Sequence, residues 1–523
     1  MTTAVAEITP PTEREIRIDA TVSAKAETRR ASLGLVVLTV MIGVFLGGLD
    51  LAIVNVALPT ISGNLGASSD EAAWVATGYT LGMMLVMPLN GWLTATFGQK
   101  KYYIGAICVF TLASLLCGFA TSIMPLIALR VIQGLGGGAL QPIAQAVLFE
   151  SSPPEKRGSM MAIFGLGAVV GPTVGPALGG WIIDNFSWQM LFFFKIPLCL
   201  AAIVLAIVVL GEKPKKDKAE HDINWFAFAA LGIGLASFQY VLSRGQREDW
   251  FDSSTIVILT MVTCLALPYF AISQYRAAHP FVNLRIFKSV TFSAGCIVTV
   301  VSGFGMYGVN LVTPLFFQGP LHLQPFDAGM YLVQGAVATA IAMMVVGELT
   351  KRYDQRLVIA LGLVLFIVGA WMMGSLTAEA GYWDLWWPRI LQGVGLGFLF
   401  VPLTVATLAG VSREVMSDAT GIATLIRYLG GNVGIAVLQL LQVNRAAAAQ
   451  AAMAAYTGLN RIGVQSMVRV MGVEHTAASV SGMIASQASL ISYLYVFRVS
   501  AIMFAVCLPL LLLLPGRKPA GSG

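Results

Sequence analysis

Apolar residues dominate this chain in long unbroken runs, not in the alternation of a strand or the one-sided stripe of a soluble helix. Fourteen runs stand out: 33–58, 71–94, 102–121, 123–147, 159–184, 188–210, 222–242, 254–275, 293–315, 327–349, 356–376, 383–409, 415–441 and 490–514. Each is close to the roughly 20 residues that an α-helix needs to cross the hydrocarbon of a bilayer. Inside hydrocarbon a backbone must satisfy its own hydrogen bonds, and a helix does so within one segment. The pattern predicts an all-α polytopic membrane protein with fourteen spans. The polar stretches between runs are short, apart from 442–489, which is Ala-rich, contains Gln and is weakly amphipathic. That stretch fits either a short helical hairpin at the membrane surface or an irregular loop.

The runs also repeat. Leu129-Arg130-Val131-Ile132-Gln133-Gly134-Leu135-Gly136-Gly137-Gly138 matches Pro388-Arg389-Ile390-Leu391-Gln392-Gly393-Val394-Gly395-Leu396-Gly397 at an offset of 259. Gly171 and Gly175 fall on Gly430 and Gly434 at the same offset. At an offset of 256, Gly91-Trp92-Leu93-Thr94 falls on Gly347-Glu348-Leu349-Thr350, and Lys100 on Arg356. Spans 1–6 and 9–14 therefore read as two parallel six-helix halves, with spans 7 and 8 inserted between them. The expected division is a cytoplasmic tail over 1–31, a first half over 32–211 and two inserted spans with linkers over 212–276. A second half follows over 277–515, including the outer loop 442–489, and then a tail over 516–523. Two such halves form the transporter arrangement in which the site lies between them near the midplane.

Composition narrows the class. Only 11% of the residues are charged, against about 25% in a soluble domain. The net charge of +6 then speaks for topology, not for nucleic acid. With the N-terminus inside, the inner segments hold 22 of the 32 Lys and Arg and the outer loops hold five. That bias and the even span count put both termini in the cytoplasm. The polar first 31 residues resemble no cleavable signal, because the run after them is too long. All six cysteines lie in apolar runs, so no disulfide framework is expected, and the four histidines sit at loops or helix ends.

Against this background a few polar residues inside the runs carry the chemistry. Asp50 is the one carboxylate deep in a run of spanning length, where a charge costs about 2.5–3.5 kcal/mol on insertion scales. Span 4 carries Arg130, Gln133, Gly137, Gln141 and Gln145 at spacings of 3, 4, 4 and 4, which place them on one helical face. Asp50 and Arg130 each lie about two turns from the expected outer end of their span, so an Asp50–Arg130 pair is expected. Span 5 carries Gly171-Pro172-Thr173-Val174-Gly175-Pro176-Ala177-Leu178-Gly179-Gly180. Glycines four apart give a smooth packing face, and the prolines bend a helix. A hinge or a tightly sealed interface is expected there. Polar and aromatic candidates for a substrate cavity at middle depth are Asn55, Gln133, Gln141, Tyr307, Asn310, Gln334, Gln392 and Tyr428, with Met83 and Met84 as an adaptable wall. Glu348, Asp354, Asp184 and Asp327 read as solvated span ends.

These residues resemble the major facilitator superfamily and, within it, the fourteen-span drug:proton antiporters of the EmrB/QacA group, over residues from about 33 to about 515. Leu49-Asp50 with Asn55-Val56-Ala57-Leu58-Pro59 looks like the group's first-helix motif. Arg130-x-x-Gln133-Gly134 is similar to its span-4 motif, and the resemblance implies a part for that arginine in proton coupling. Gly171-x-x-x-Gly175-Pro176-x-x-Gly179-Gly180 looks like the antiporter motif, the feature that separates exporters from nutrient importers. The stretches 243–251 and 280–287 resemble connecting segments of the EmrB branch. That branch implies a periplasmic adaptor (membrane fusion protein) and an outer-membrane channel as partners. Two places depart from the pattern. Ala95 stands where the inner-loop motif 91–101 has an aspartate, which weakens a charge-relay role for that gating loop. Lys195 stands where the group has asparagine; it would either snorkel to the outer interface, the favoured reading, or contact substrate.

The expectation is a proton-coupled multidrug efflux antiporter of the bacterial inner membrane that exports hydrophobic or amphipathic compounds by alternating access. It would use no cofactor, only the proton gradient, with Asp50 and Arg130 coupling the proton. An exporter of one metabolite, siderophore or fatty acid shares every one of these features. An intramembrane enzyme would need a nucleophile–base or metal constellation at membrane depth, and the sequence offers none. A channel fits less well, since two glycine-rich halves around one buried acid suit alternating access.

Overall fold

The computed structural model describes residues 13–211, 224–456 and 473–514. Fourteen helices among them are long and apolar enough to cross a membrane. They are α1 (Leu33–Leu65), α2 (Asp70–Phe97), α3 (Gln99–Gly118), α4 (Ile123–Ser151), α5 (Pro154–Asn185), α6 (Met190–Val209) and α7 (Trp225–Arg244). The remainder are α8 (Ser254–Arg276), α9 (Val290–Gln318), α10 (Asp327–Thr350), α11 (Gln355–Met373), α12 (Tyr382–Leu408), α13 (Arg413–Ala455) and α14 (His475–Leu513). Residues 1–12 of the expected tail, the linker 212–223, part of the outer loop (457–472) and the last residues from 515 lie outside the described residues.

Hydropathy located the spans but not their ends. The first helix reaches back to Glu13 through the stretch expected as a tail, which is rich in the good helix formers Glu, Arg, Ala and Lys. It also runs on past Pro59 to Leu65. Asp50 therefore sits near the middle of α1, not two turns from its outer end. The outer stretch 442–489 begins and ends as helix, because α13 continues to Ala455 and α14 starts at His475. The two extensions face each other through Gln442 Nε2, which donates to Ser492 Oγ at 3.2 Å, and through Arg445, 5.4 Å from the Tyr495 ring.

Close helix packing sets the first half. Along α5, Gly171, Gly175 and Gly179 lie on α1. A Cβ at Gly171 would stand 2.8 Å from Leu49 N and from Phe45 O, and one at Gly175 would stand 2.8 Å from the Ala52 Cβ. Gly48 of α1 answers with Pro172, whose Cδ would be 2.9 Å from an added Cβ. The helix is continuous through Pro172 and Pro176. So the glycine motif forms a sealed α1–α5 seam, and that seam fixes the backbone beside Asp50.

The inserted α7 and α8 pack on each other, and α7 lies against α2 and α13. Asn432 of α13 donates to Gln239 Oε1 of α7 at 2.7 Å and approaches Met84 Sδ of α2 at 3.5 Å. At the outer end, Arg244 and Arg247 pair with Asp70 at the start of α2. On α8, Ile258, Met261 and Leu265 are exposed, as lipid-facing residues should be. Trp383, Trp386 and Trp387 cluster at the start of α12, the aromatic signature of a membrane–water interface.

Candidate functional site

One carboxylate gathers the first half. Asp50 of α1 is fully enclosed and forms ion pairs with Arg130 of α4 and Lys195 of α6. Gln133 Nε2 adds a donor, 3.3 Å from Asp50 Oδ1. Arg130 is held on its other edges: Nε donates to Val75 O at 2.9 Å, Nη1 to Gln133 Oε1 at 2.8 Å, and the Tyr79 ring covers the guanidinium at 4.3 Å. Tyr79 in turn donates to Gly47 O at 3.1 Å, back on α1. The buried charges are thus paired and hydrogen-bonded, as burial in a low-dielectric interior demands.

The Asp50–Arg130 pair is present as expected. Lys195 overturns its expectation, because it lies inside the half rather than at the outer interface. The cause is local. Helical geometry breaks between Phe193 and Ile196, and α6 restarts with Pro197 at its head. That turn aims Lys195 inward, with its Nζ 5.1 Å from the Phe192 ring and 5.5 Å from that of Phe110. Ser114 of α3 donates to the Phe192 carbonyl at 2.9 Å and holds the turn. The sequence signal was the Lys-Ile-Pro step itself, a proline placed to restart a helix.

The eight candidate cavity residues separate into groups. Gln133 belongs to the Asp50 cluster. Tyr307 and Tyr428 stack at 5.3 Å, and the Tyr428 hydroxyl donates to Gln141 Oε1 at 3.4 Å, so these three meet where the two halves touch. A π-helical turn over Phe304–Val309 carries Tyr307 into that position and places Asn310 just beyond it; such turns often mark functional sites. Asn310 and Gln392 surround Arg389. Asn55 is exposed and bonds only to its own helix, at Leu51 O. Gln334 donates to the Tyr382 hydroxyl at 2.9 Å. Met83 is fully buried against Gly138 of α4, so it packs helices and does not line a cavity.

Two cations that the sequence reading left unassigned now stand out. Arg389 of α12, the repeat partner of Arg130, is buried, with Nη1 donating to Gln392 Oε1 at 2.9 Å and Nη2 3.5 Å from Asn310 Oδ1. Arg427 of α13 is buried 4.5 Å from the Phe400 ring. Neither joins an ion pair among the described residues. The 259 offset marked Arg389 in the sequence; Arg427 has no such marker.

The hydrogen bonds and ring contacts that cross between the halves run from mid-depth to the inner side. Thr424 lies 3.5 Å from Gln145 Oε1, and Phe164 stacks on Phe400 at 6.2 Å. Asn90 donates to Ser417 O at 3.0 Å, and Ser159 to Glu348 Oε1 at 3.3 Å. Glu348, expected as a solvated end, thus reaches across the halves. The inner-loop motif does gate-like packing in both copies. Gly347 lies on Ser159 and Ala162 of α5, and Gly91 lies directly under the Asp418 carboxylate of α13. Asp418 also accepts from the Asn283 backbone N–H. An acid from the other half thus packs on this loop motif at Gly91.

Known proteins match this architecture. A family model described as Major Facilitator Superfamily matches residues 40–435. The chain is 31% identical over 417 residues to "Multidrug export protein EmrB" of Haemophilus influenzae, covering 80% of this chain and 82% of that protein. It is 30% identical over 501 residues to "Multidrug export protein EmrB" of Escherichia coli K12, covering 94% and 97%. It is 29% identical over 501 residues to "Fatty acid resistance protein FarB" of Neisseria gonorrhoeae, covering 94% and 98%. Among solved structures, the proton:xylose symporter XylE shares the fold at a TM-score of 0.59 and 12% identity, over 94% of this chain and 97% of that one. With a family model over most of its length and relatives along nearly all of it, this fourteen-span chain belongs to the major facilitator superfamily.

Proposed function

We propose that the chain is a proton-driven exporter of hydrophobic or amphipathic compounds that works by alternating access in the bacterial inner membrane. The observation that carries this reading is the enclosed Asp50 carboxylate, which ties α1 to both α4 and α6. The EmrB relatives are named for multidrug export, and the antiporter glycines of α5 stand beside Asp50.

Lys195 changes the mechanism expected from Asp50 and Arg130 alone. One carboxylate against two cations gives the sealed cluster a net charge of +1. Loss of one proton from the Asp50–Lys195 pair makes it neutral, and the pair takes up that proton as a unit. The loaded form is the one with all three groups charged. Its proton arrives while the inner side is closed by the Asn90–Ser417 and Ser159–Glu348 contacts. It leaves when those contacts part and the cluster opens inward, and the net-neutral cluster then lets the halves rock back with substrate. Each charge moved with the potential contributes about 2.3 kcal/mol per 100 mV.

A periplasmic adaptor and an outer-membrane channel complete the export path in this reading, as the EmrB resemblance implies. Asn55, Gln141, Tyr307, Asn310, Gln334, Gln392 and Tyr428 line the substrate path, and the α1–α5 seam carries the rocking motion. A narrower cargo, a single acidic metabolite or a fatty acid, is favoured by the unpaired Arg389, and FarB is named for fatty acid resistance. The test is transport of a mixed panel of dyes in proteoliposomes under an imposed pH gradient. Gradient-dependent movement of several unrelated dyes, and counterflow without a gradient, is the expected result. Movement of one compound class would narrow the cargo, and absence of counterflow would remove the carrier mechanism.

A further inference from the structure

The two halves build the same arginine frame and fill it differently. Packing fixes their correspondence. A Cβ at Gly134 would stand 2.1 Å from Tyr79 O, and a Cβ at Gly393 would stand 2.2 Å from Gly335 O, so Tyr79 and Gly335 occupy matching places. In the first half, the Tyr79 ring covers Arg130, Val75 O accepts from Arg130 Nε, and Gln133 Nε2 donates to Asp50. In the second half, each of those positions is open. Gly335 presents no ring, so the guanidinium lies bare against it, 2.9 Å from where a Cβ would stand. Arg389 Nε and Gln392 Nε2 are buried with no hydrogen-bond partner. Asn310, one residue past the place where the 259 offset would put the acid, approaches Arg389 and is exposed, so the cluster opens on that side.

Buried donors left without acceptors are costly, and a buried guanidinium without a counter-charge costs more. The repeat shows what cancels both costs, since in the first half a carboxylate accepts from the arginine and from the same glutamine nitrogen. We propose that Arg389, Gln392 and Asn310 form a binding site for the carboxylate of an amphipathic anion, which takes in the second half the place that Asp50 takes in the first. The guanidinium and the Gln392 amide hold the anionic head, and Asn310 forms the entrance. This assignment rests on the export reading only in naming the anion as cargo; the site itself does not require a proton gradient.

The test begins with binding to the full chain in detergent, followed by quenching of tryptophan fluorescence. The probes are pyrenebutyrate and its neutral counterpart pyrenebutanol. The wild type should bind the acid at least about tenfold more tightly than the alcohol, and Arg389→Gln should abolish that preference. Arg389→Lys should restore part of it by keeping the charge. Gln392→Ala, which removes one donor and leaves the cation, should lower it severalfold and serves should Arg389→Gln fail to fold. Equal binding of acid and alcohol by the wild type, or equal loss of both in the variants, would overturn the site. Displacement of the probe by phosphatidylglycerol but not by decanoate would assign the site to lipid and overturn the cargo.

Transport separates this site from the export reading. Protein that binds pyrenebutyrate through Arg389 but moves no probe under a pH gradient keeps the site and sinks the exporter. Protein that exports ethidium under the gradient and ignores pyrenebutyrate does the reverse.

Discussion

The Asp50 and Arg389 clusters start from one sequence frame, Arg-x-x-Gln-Gly, on equivalent helices. In the first half the frame is filled from within, because α1 supplies Asp50, α2 supplies the Tyr79 ring and α6 supplies Lys195. In the second half α9 supplies Asn310 and α10 supplies Gly335, and two donors remain unspent. A duplicated fold thus provides two arginines at equivalent positions, and single side chains on the neighbouring helices decide what each one does. The closed cluster suits a proton that must not leak. The open one suits a ligand that must come and go.

The sharpest way to break this contrast is to empty the closed cluster. Asp50→Asn leaves Arg130 and Lys195 buried without a counter-charge. Removing one partner of a buried pair costs about 3–5 kcal/mol, so the variant should melt well below the wild type and lose gradient-driven transport by about a hundredfold or more. The double variant Asp50→Asn with Lys195→Met removes one of the stranded cations. It should regain much of the melting temperature and none of the transport, which separates the structural part of Asp50 from its coupling part. Recovery of proton-driven export in the double variant would show that the proton travels elsewhere.

The converse change makes the open cluster resemble the closed one. Asn310→Asp places a carboxylate within reach of Arg389 Nη2, now 3.5 Å from the amide oxygen. A charged hydrogen bond contributes about 1.5–3 kcal/mol, so thermal stability should rise by up to that amount. The same built-in acid competes with an anionic ligand, and pyrenebutyrate affinity should fall by about tenfold or more. Rising stability with unaltered affinity would mean that the ligand carboxylate binds away from Arg389.

Much of this is legible in the sequence. Fourteen apolar runs gave the spans, and two offsets gave the halves and pointed at Arg389. A single deep acid beside a polar stripe gave the Asp50–Arg130 pair. What could not be read was the direction of side chains at breaks in helical geometry. Lys195 looked like a span-end residue because its distance along the chain from the outer loop is short; the turn before Pro197 turns it inward. Asp418 lies in the first turn of its helix, and only the crossing of α2 and α13 brings it onto Gly91. Tyr307 and Asn310 owe their placement to a π-helical turn, for which the run Phe304–Val309 carries no signal that hydropathy detects. Helix ends slipped for a similar reason: polar residues continue a helix beyond the bilayer, so the end of an apolar run is not the end of α1 or α13.

The smallest expected effect tests the seam that holds Asp50 in place. An alanine at Gly175 brings its Cβ to 2.8 Å from the Ala52 Cβ and 3.1 Å from Ile53 N, and backbone on both helices leaves no room to yield. Overpacking of that kind costs about 1–3 kcal/mol. Gly180, in the same motif, meets nothing within 4 Å. There an alanine removes a helical glycine and should contribute about 0.5–1 kcal/mol of stability. In the second half, a Cβ at Gly434 would stand 2.8 Å from Phe304 Cα, so Gly434→Ala should resemble Gly175→Ala in melting temperature. The two should differ in transport, because the Gly175 seam borders Asp50 while the Gly434 seam borders the π-helical turn that carries Tyr307. Gly175→Ala should weaken the response to the pH gradient, and Gly434→Ala should alter which substrates are carried. Matching transport defects in both variants would mean that the seams act only as packing.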